Sequence, residues 1–169
     1  MATVTLRGTP VQTAGELPPT GSQAPDFRLT GTDLGETGLF AFPGKNLILN
    51  IFPSIDTGVC AASVRRFNEE AGKRPEVAVL CISADLPFAH SRFCGSEGLT
   101  AVHSASTFRN PEFGLAYGVT LMDGPLRGLL ARAVVIIDRQ GTVVHRELVP
   151  EIGQDPDFNT ALKALDLLP

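Results

Sequence analysis

Three cysteines, Cys60, Cys81 and Cys94, are the residues of this sequence best able to carry out covalent chemistry. They lie 21 and 13 residues apart and form no C-x-x-C pair. An odd number of cysteines does not suit the disulfide framework of a small secreted protein. In a reducing compartment a cysteine is either an inert core residue or a reactive thiolate, so the surroundings of each one decide its role.

Cys60 ends the stretch FPSIDTGVC at 52–60, which follows an apolar run. Pro53 ends the predicted strand, Asp56 or Thr57 caps the following helix, and Cys60 falls in its first turn. Unpaired backbone N–H groups and the positive end of the helix dipole favour thiolate over thiol there. Thr57 lies one helical turn before Cys60. Its hydroxyl either donates to a thiolate or a bound oxygen, or only caps a helix in which Cys60 is a small buried residue.

A cation for this thiolate is available at Arg132, which stands in the apolar stretch LLARAVV at 129–135. An arginine embedded in a strand is costly to bury without a partner and rarely loses its proton. Two interpretations stay open. Arg132 either stabilises negative charge on the thiolate and on a substrate oxygen, or it reaches solvent from a sheet edge or pairs with a carboxylate.

The other two cysteines have different predicted surroundings. Cys81 lies in VAVLCIS at 77–83, whose continuous apolar character predicts a buried strand and an inert thiol. Cys94 is predicted to end a short helix over 87–94 that Gly95 stops. His90 and Cys94 lie four residues apart and could face one metal ion. No paired ligands complete a four-ligand site, so we expect no bound metal.

Strands and helices are predicted to alternate around these residues. This order predicts a single α/β domain over 1–169, with a mixed central sheet flanked by helices and an N-terminal β-hairpin. Ligand chemistry is expected where the strand at 47–52 ends. The hairpin covers 3–13; strands are predicted at 26–30, 38–42, 47–52, 77–83, 101–104, 131–137 and 142–149, and helices at 57–71, 87–94, 111–117 and after Asp155, with Pro156 in the first turn.

Composition excludes several classes of protein. Hydrophobic residues make up 43% of the 169, which argues against intrinsic disorder, and a net charge of −4 argues against a nucleic-acid partner. No apolar run reaches the ~18 residues of a membrane span. The N-terminal residues include no apolar segment typical of a secretory signal. We therefore expect a soluble, cytoplasmic protein with no membrane partner.

Three segments together resemble a known family. The spacing P-x-x-x-T-x-x-C at 53–60 is the peroxiredoxin pattern, and CISADLPFAHSRFC at 81–94 and GPLRGLLARA at 124–133 accompany it. Together they resemble the bacterial thiol peroxidases, which are atypical 2-Cys peroxiredoxins with a thioredoxin-like fold. The resemblance covers essentially the full length, including the N-terminal hairpin.

The resemblance implies a role for each residue. Cys60 corresponds to the peroxidatic cysteine, Thr57 and Arg132 to its activating partners, and Pro53 to the residue that shields the pocket. Cys94 corresponds to the resolving cysteine of the same chain. The resemblance further implies reduction of hydrogen peroxide and organic hydroperoxides, electrons from thioredoxin, no bound cofactor, and a homodimer.

Two other functions use the same cysteines. A disulfide oxidoreductase of the thioredoxin type is disfavoured, because Thr57 stands where the first cysteine of C-x-x-C would be. A redox sensor that passes its oxidation to a partner protein stays open. As for the substrate, Phe93, Leu121 and Met122 near the motifs suggest an apolar pocket suited to alkyl or lipid hydroperoxides.

Overall fold

Nine strands and four α-helices follow one another in the computed structural model, which describes residues 1–169. A 3₁₀ turn at Leu39–Ala41 adds to them. The elements are β1 (Thr3–Leu6), β2 (Thr9–Gln12), β3 (Arg28–Gly31), β4 (Glu36–Gly38), β5 (Asn46–Ile51), α1 (Gly58–Ala71), β6 (Val77–Ser83), α2 (Pro87–Glu97), β7 (His103–Ser106), α3 (Glu112–Ala116), β8 (Ala133–Ile137), β9 (Val143–Leu148) and α4 (Phe158–Asp166).

The main sheet has seven strands in the order β4-β3-β7-β6-β5-β8-β9. The three strands β5, β6 and β7 are parallel, and the flanking strands on both sides pair antiparallel. β1 and β2 form a separate antiparallel hairpin. The prediction of a mixed central sheet with helices and an N-terminal hairpin is confirmed.

Both faces of the central strands are buried, because alternate residues of a strand point to opposite sides. On one face Ile48, Cys81 and Val134 pack with Cys60 and with Leu165. The helices α1 and α4 contribute to this core, and α2 packs against it. The other face packs against the hairpin, α3 and the segment that follows α3. All three cysteines therefore lie on the helical face of the sheet.

The helix α2 extends beyond its predicted end. Gly95 does not stop it; the helix continues to Glu97 and ends at Gly98, which takes the left-handed conformation with φ 67°. A glycine inside a helix costs only about 1 kcal/mol relative to alanine, so Gly95 is tolerated. Gly98 donates its N–H to the carbonyl of Gly95, and Leu99 donates to the carbonyl of Cys94. Cys94 thus lies inside the last turns of α2 and does not end it.

Three other predicted boundaries were wrong by a few residues. The C-terminal helix is capped by Asp157, whose carboxylate accepts from the N–H of Thr160, and not by Asp155; Pro156 lies before the cap. The strand predicted at 38–42 lies at Glu36–Gly38, and the one predicted at 101–104 lies at His103–Ser106. Pairing sets the two strands, since β4 pairs with β3, and β7 pairs with β3 and β6. No helix is long and apolar enough to cross a lipid bilayer.

Candidate active site

The first turn of α1 is built by Thr57. Its backbone is extended, with φ −96° and ψ 146°, and its Oγ1 accepts from the N–H of Cys60 at 3.3 Å. The hydroxyl donates its own hydrogen to the carbonyl of Ser54, also at 3.3 Å. Thr57 therefore caps the helix, and no hydrogen bond joins its hydroxyl to the sulfur of Cys60. Its role as an activating partner of Cys60 stays a prediction.

Cys60 is the third residue of α1, and its side chain is fully buried. The polar partner of its Sγ is Arg132 Nη2, at 3.2 Å. Arg132 directly precedes β8, which pairs with β5, the strand that leads into the Cys60 segment. The antiparallel pairing of β5 and β8 therefore brings residue 132 to the start of α1, although the two residues are 72 positions apart.

Arg132 is a buried cation without a carboxylate partner. Only 2% of its surface is exposed, its Nε donates to the carbonyl of Ile152 at 2.9 Å, and it forms no salt bridge. Its Nη1 is also buried and has no hydrogen-bond partner. Sheet-edge exposure and pairing with a carboxylate are thereby excluded. The guanidinium, which rarely loses its proton, therefore places a positive charge beside the sulfur of Cys60.

A cavity of about 720 Å³ lies beside this pair. Pro53, which is buried, and Arg132 both line it. The remaining apolar lining is brought together by tertiary structure from three distant segments, which are the hairpin, the loop at 124–129 and the segment at 151–153. The apolar residues among them are Leu6, Val11, Pro125, Leu126, Leu129 and Ile152, and Val59 of α1 adds to them.

The apolar residues expected in the pocket are elsewhere. Leu121 is fully buried in the core and Met122 is 46% exposed. Phe93 packs beneath the guanidinium of Arg65, 5.6 Å from its ring centroid. None of the three lines the cavity beside Arg132. Their expected contribution to a substrate pocket is therefore wrong, because nearness to a motif in sequence does not place a side chain in a cavity.

Asp85 accepts hydrogen bonds from the loop before α1, a role that was not predicted from the sequence. Its Oδ1 accepts from the hydroxyl of Ser54 at 2.9 Å, and its Oδ2 accepts from the N–H of Ile55 at 2.8 Å and from the hydroxyl of Ser83 at 2.5 Å. The available signal was Ser83-Ala84-Asp85, a polar group directly after a buried strand, where loops of such sheets form sites.

The same network reaches α2. The hydroxyl of Ser83 lies 2.9 Å from Nε2 of His90, whose ring is fully buried. Burial lowers the pKa of His90, which favours the neutral ring. At the surface, Arg92 donates to Asp56 at 2.7 Å. His90 and Cys94 therefore have separate partners, and the residues of this chain form no cluster of three metal-binding side chains.

Cys94 is half-buried on α2, and its Sγ lies 3.8 Å from the hydroxyl of Ser104 on β7. Burial raises the pKa of this thiol. Cys94 lines a different cavity, of about 670 Å³, together with Asp33 from the turn between β3 and β4 and Glu36 from β4. The two cavities share no lining residue. In this structure the thiols of Cys60 and Cys94 are free and have different partners.

Cys81 is an interior residue of β6 with no exposed surface. Its only polar neighbour is Asn50 Nδ2, at 3.7 Å, which also donates to the hydroxyl of Ser63 at 3.2 Å. Burial raises the pKa of Cys81 to about 12, so this thiol is neutral at physiological pH. A neutral, buried thiol is a poor nucleophile.

Sequence comparison places the chain among known proteins. The Redoxin family matches residues 19–165. A thiol peroxidase of Mycobacterium tuberculosis is 56% identical over 165 residues, which cover 98% of this chain and 99% of that protein. A thiol peroxidase of Mycobacterium bovis matches to the same extent.

Solved structures agree with the sequence comparison. A peroxiredoxin-like protein from Aquifex aeolicus superimposes with a TM-score of 0.92 at 37% identity, covering 99% of this chain and 98% of the other. A thiol peroxidase from Chromobacterium violaceum, at 23% identity, shares the fold with a TM-score of 0.88, covering 97% and 95% of the two chains. With near-complete coverage on both sides, the chain belongs to the Redoxin family and, within it, to the thiol peroxidases.

Proposed function

We propose that Cys60 is the peroxidatic cysteine of this thiol peroxidase, that Cys94 resolves it, and that the substrates are hydrogen peroxide and organic hydroperoxides. The observation that carries the proposal is the 3.2 Å contact between Arg132 Nη2 and Cys60 Sγ next to a partly apolar cavity. A peroxidatic sulfur needs a thiolate, room for a hydroperoxide, and a donor for the oxygen that leaves.

In the first step the Cys60 thiolate attacks the terminal oxygen of the hydroperoxide. The O–O bond breaks, the terminal oxygen stays on sulfur as a sulfenic acid, and the other oxygen takes up a proton and leaves as water or alcohol. Arg132 opposes the negative charge that develops on the oxygens, and its unpartnered Nη1 supplies a donor for one of them. Pro53 shields the sulfur, and Thr57 holds the helix turn that presents it.

In the second step the Cys94 thiolate attacks the Cys60 sulfur. An S–S bond forms, the S–O bond breaks, and the oxygen leaves as water after it takes up a proton. A disulfide needs Cα atoms roughly 4.4–6.8 Å apart. Cys60 faces Arg132 and Cys94 faces Ser104, so both helices must unwind locally before the sulfurs meet.

The disulfide then has to be reduced from outside. We propose thioredoxin as the electron donor, because a dithiol protein reduces such a bond by exchange through a mixed disulfide. In each cycle the Cys60–Cys94 pair transfers two electrons from thioredoxin to the hydroperoxide. The proposed chemistry therefore needs no prosthetic group. Three free thiols suit a reducing cytoplasm, where thioredoxin is available.

We also propose that the protein is a homodimer, as the resemblance implies. Large apolar side chains that remain exposed support an interface, among them Leu86 at 50%, Phe88 at 65% and Leu115 at 58%. Sedimentation at micromolar concentration should give a species of twice the chain mass. A single species of 17.9 kDa would contradict the dimer.

A steady-state assay with thioredoxin, thioredoxin reductase and a hydroperoxide tests the proposed function. Sustained consumption of peroxide, with a Cys60–Cys94 disulfide found by peptide mapping after one equivalent, is the expected result. A redox sensor would instead consume about one equivalent of peroxide and stay oxidised until its partner protein reduced it. A Cys60–Cys81 bridge, or no turnover with thioredoxin, would contradict the proposed cycle.

A further inference from the structure

The carboxylate of Glu151 is surrounded by donors from the N-terminal hairpin. Its Oε2 accepts from the hydroxyl of Thr5 at 2.6 Å and from the N–H of Gly8 at 3.1 Å. Its Oε1 accepts from the N–H of Arg7 at 3.0 Å and from the N–H of Gly153 at 3.2 Å. These hydrogen bonds lower the pKa of Glu151 to about 2, so the group is a carboxylate at any physiological pH.

Both residues of the hairpin turn donate their N–H groups to this carboxylate. Arg7 and Gly8 form the two-residue turn between β1 and β2, and both have positive φ, 51° and 81°. Positive φ at both central residues is typical of tight hairpin turns. Glycine adopts positive φ at no steric cost, whereas the side chain of Arg7 makes this conformation unfavourable. The two consecutive N–H groups of the turn both point at Glu151, which therefore holds the turn to the segment after β9.

The same segment also holds the guanidinium beside Cys60. Thr5 donates its N–H to the carbonyl of Pro150 at 2.7 Å, and Ile152 donates to the carbonyl of Thr5 at 2.8 Å. The carbonyl of Ile152 in turn accepts from Arg132 Nε at 2.9 Å. Residues 150–152 thus have the hairpin bound on one side and Arg132 on the other.

The hairpin is one wall of the cavity beside Arg132. Leu6, Arg7, Thr9 and Val11 line it from the hairpin. Hydrogen peroxide has no organic part and needs only the part of the cavity next to Arg132. The organic part of a larger hydroperoxide has to lie against the walls, and contacts with an apolar wall discriminate between substrates by roughly tenfold or more for each group that fits.

We propose that Glu151 is a positioning residue that sets the specificity of the enzyme for bulky organic hydroperoxides by holding the hairpin wall in place. The proposal rests on the proposed function, because it assumes that hydroperoxides react in this cavity. Glu151 itself lines the cavity, but it makes no hydrogen bond to Cys60 or Arg132, and three of its four donors belong to the hairpin. Its removal should therefore loosen the hairpin wall, with a larger effect on a substrate that contacts that wall.

The test compares two substrates on the full-length reduced protein. The second-order rate constants for Cys60 oxidation by cumene hydroperoxide and by hydrogen peroxide are measured by quenching, alkylation and mass spectrometry, without thioredoxin. In Glu151→Ala we expect the ratio of the cumene hydroperoxide constant to the hydrogen peroxide constant to fall by about fivefold to tenfold. Glu151→Gln, which keeps one acceptor oxygen, should give a smaller fall in the same direction.

Two further variants make the test decisive. Thr5→Val removes one donor to Glu151 without changing the size of the side chain, and it should also lower the ratio. Glu112→Gln removes an exposed carboxylate that hydrogen-bonds Asn110 outside the cavity, and it should leave the ratio unchanged. An equal slowing of both substrates in Glu151→Ala, or an unchanged ratio, would overturn the proposal. Failure of both hydroperoxides to oxidise Cys60 in the wild type would instead overturn the proposed function.

Discussion

Cys60 and Cys94 lie on helices that pack against the same face of the sheet, but their surroundings differ in charge and in exposure. Cys60 is fully buried with a guanidinium 3.2 Å from its sulfur. Cys94 is half-buried against the neutral hydroxyl of Ser104, and burial raises its pKa. Cys60 thus has a cation beside its sulfur, whereas Cys94 has only a neutral hydroxyl. In the proposed cycle we expect this charge to matter for the first step and movement of the backbone to matter for the second.

Replacement of Cys60 should have the largest effect on peroxidase activity. Cys60→Ser should abolish peroxide consumption, because a hydroxyl in the same place does not ionise and is not a nucleophile towards the O–O bond at neutral pH. The measurement is hydroperoxide loss in the thioredoxin-coupled assay. Cys81→Ser is the matched control, since it removes a thiol from the same face of the sheet and should keep turnover. Residual turnover in Cys60→Ser would show that another thiol reacts first.

Removing the cation should slow the first step alone. Arg132→Met keeps much of the buried volume but takes away a charge-assisted hydrogen bond worth about 1.5–3 kcal/mol, which corresponds to roughly tenfold to a hundredfold in rate. Stopped-flow competition for hydrogen peroxide measures the oxidation of Cys60. Arg132→Lys, which keeps the charge but not the planar geometry, should lose less. Equal rates in wild type and Arg132→Met would contradict the role of this cation.

The second thiol should affect recycling and not the first oxidation. Cys94→Ser should still form a sulfenic acid at Cys60, detectable with dimedone, because Cys94 does not contribute to the pair with Arg132. Turnover with thioredoxin should fall, and sulfinic acid should accumulate as peroxide rises, since no partner captures the sulfenic acid. Mass spectrometry distinguishes the two products. Full turnover in Cys94→Ser would mean that another group resolves Cys60.

The smallest effect concerns Cys81 and depends on pH. Its folded-state pKa of about 12 lies above the ~8.5 of an unfolded cysteine, so its contribution to stability is complete below pH 8.5 and is lost as the pH rises towards 12. Between pH 7.5 and 9.5 this one group should lower the free energy of unfolding by about 1 kcal/mol. Urea unfolding of reduced wild type and Cys81→Ala at both pH values isolates the effect. Equal pH dependence in both proteins would refute it.

Sequence information was sufficient where the site is local. The strand end before Pro53, the helix cap at Asp56 or Thr57 and the first-turn position of Cys60 all lie within eight consecutive positions and follow from local conformational preferences; the structure selects Thr57 as the cap. The continuous apolar character of 77–83 likewise predicted that Cys81 is buried.

Sequence information was insufficient where the site depends on tertiary contacts. The pairing of Arg132 with Cys60 stayed one of two interpretations until the β5–β8 register was known. Asp85 lies 30 residues from the amide that it binds, and Glu151 lies 144 residues from Arg7. The walls of the cavity come from segments whose convergence only the folded chain defines. The end of α2 was missed because two glycines compete for it and only Gly98 takes a positive φ.

The hydrogen bonds around Asp85 have a consequence for how the two helices open. Ser54 and Ile55 bind Asp85, and Asp56 binds Arg92, so three successive residues before α1 are tied to the segment that begins and forms α2. Segments joined in this way open as one cooperative unit and not as two independent ones. We expect the amides in the first turn of α1 and those of α2 to exchange with deuterium at closely matched rates. We expect opening at one cysteine to accompany opening at the other, so that the proposed disulfide requires a single partial unfolding event.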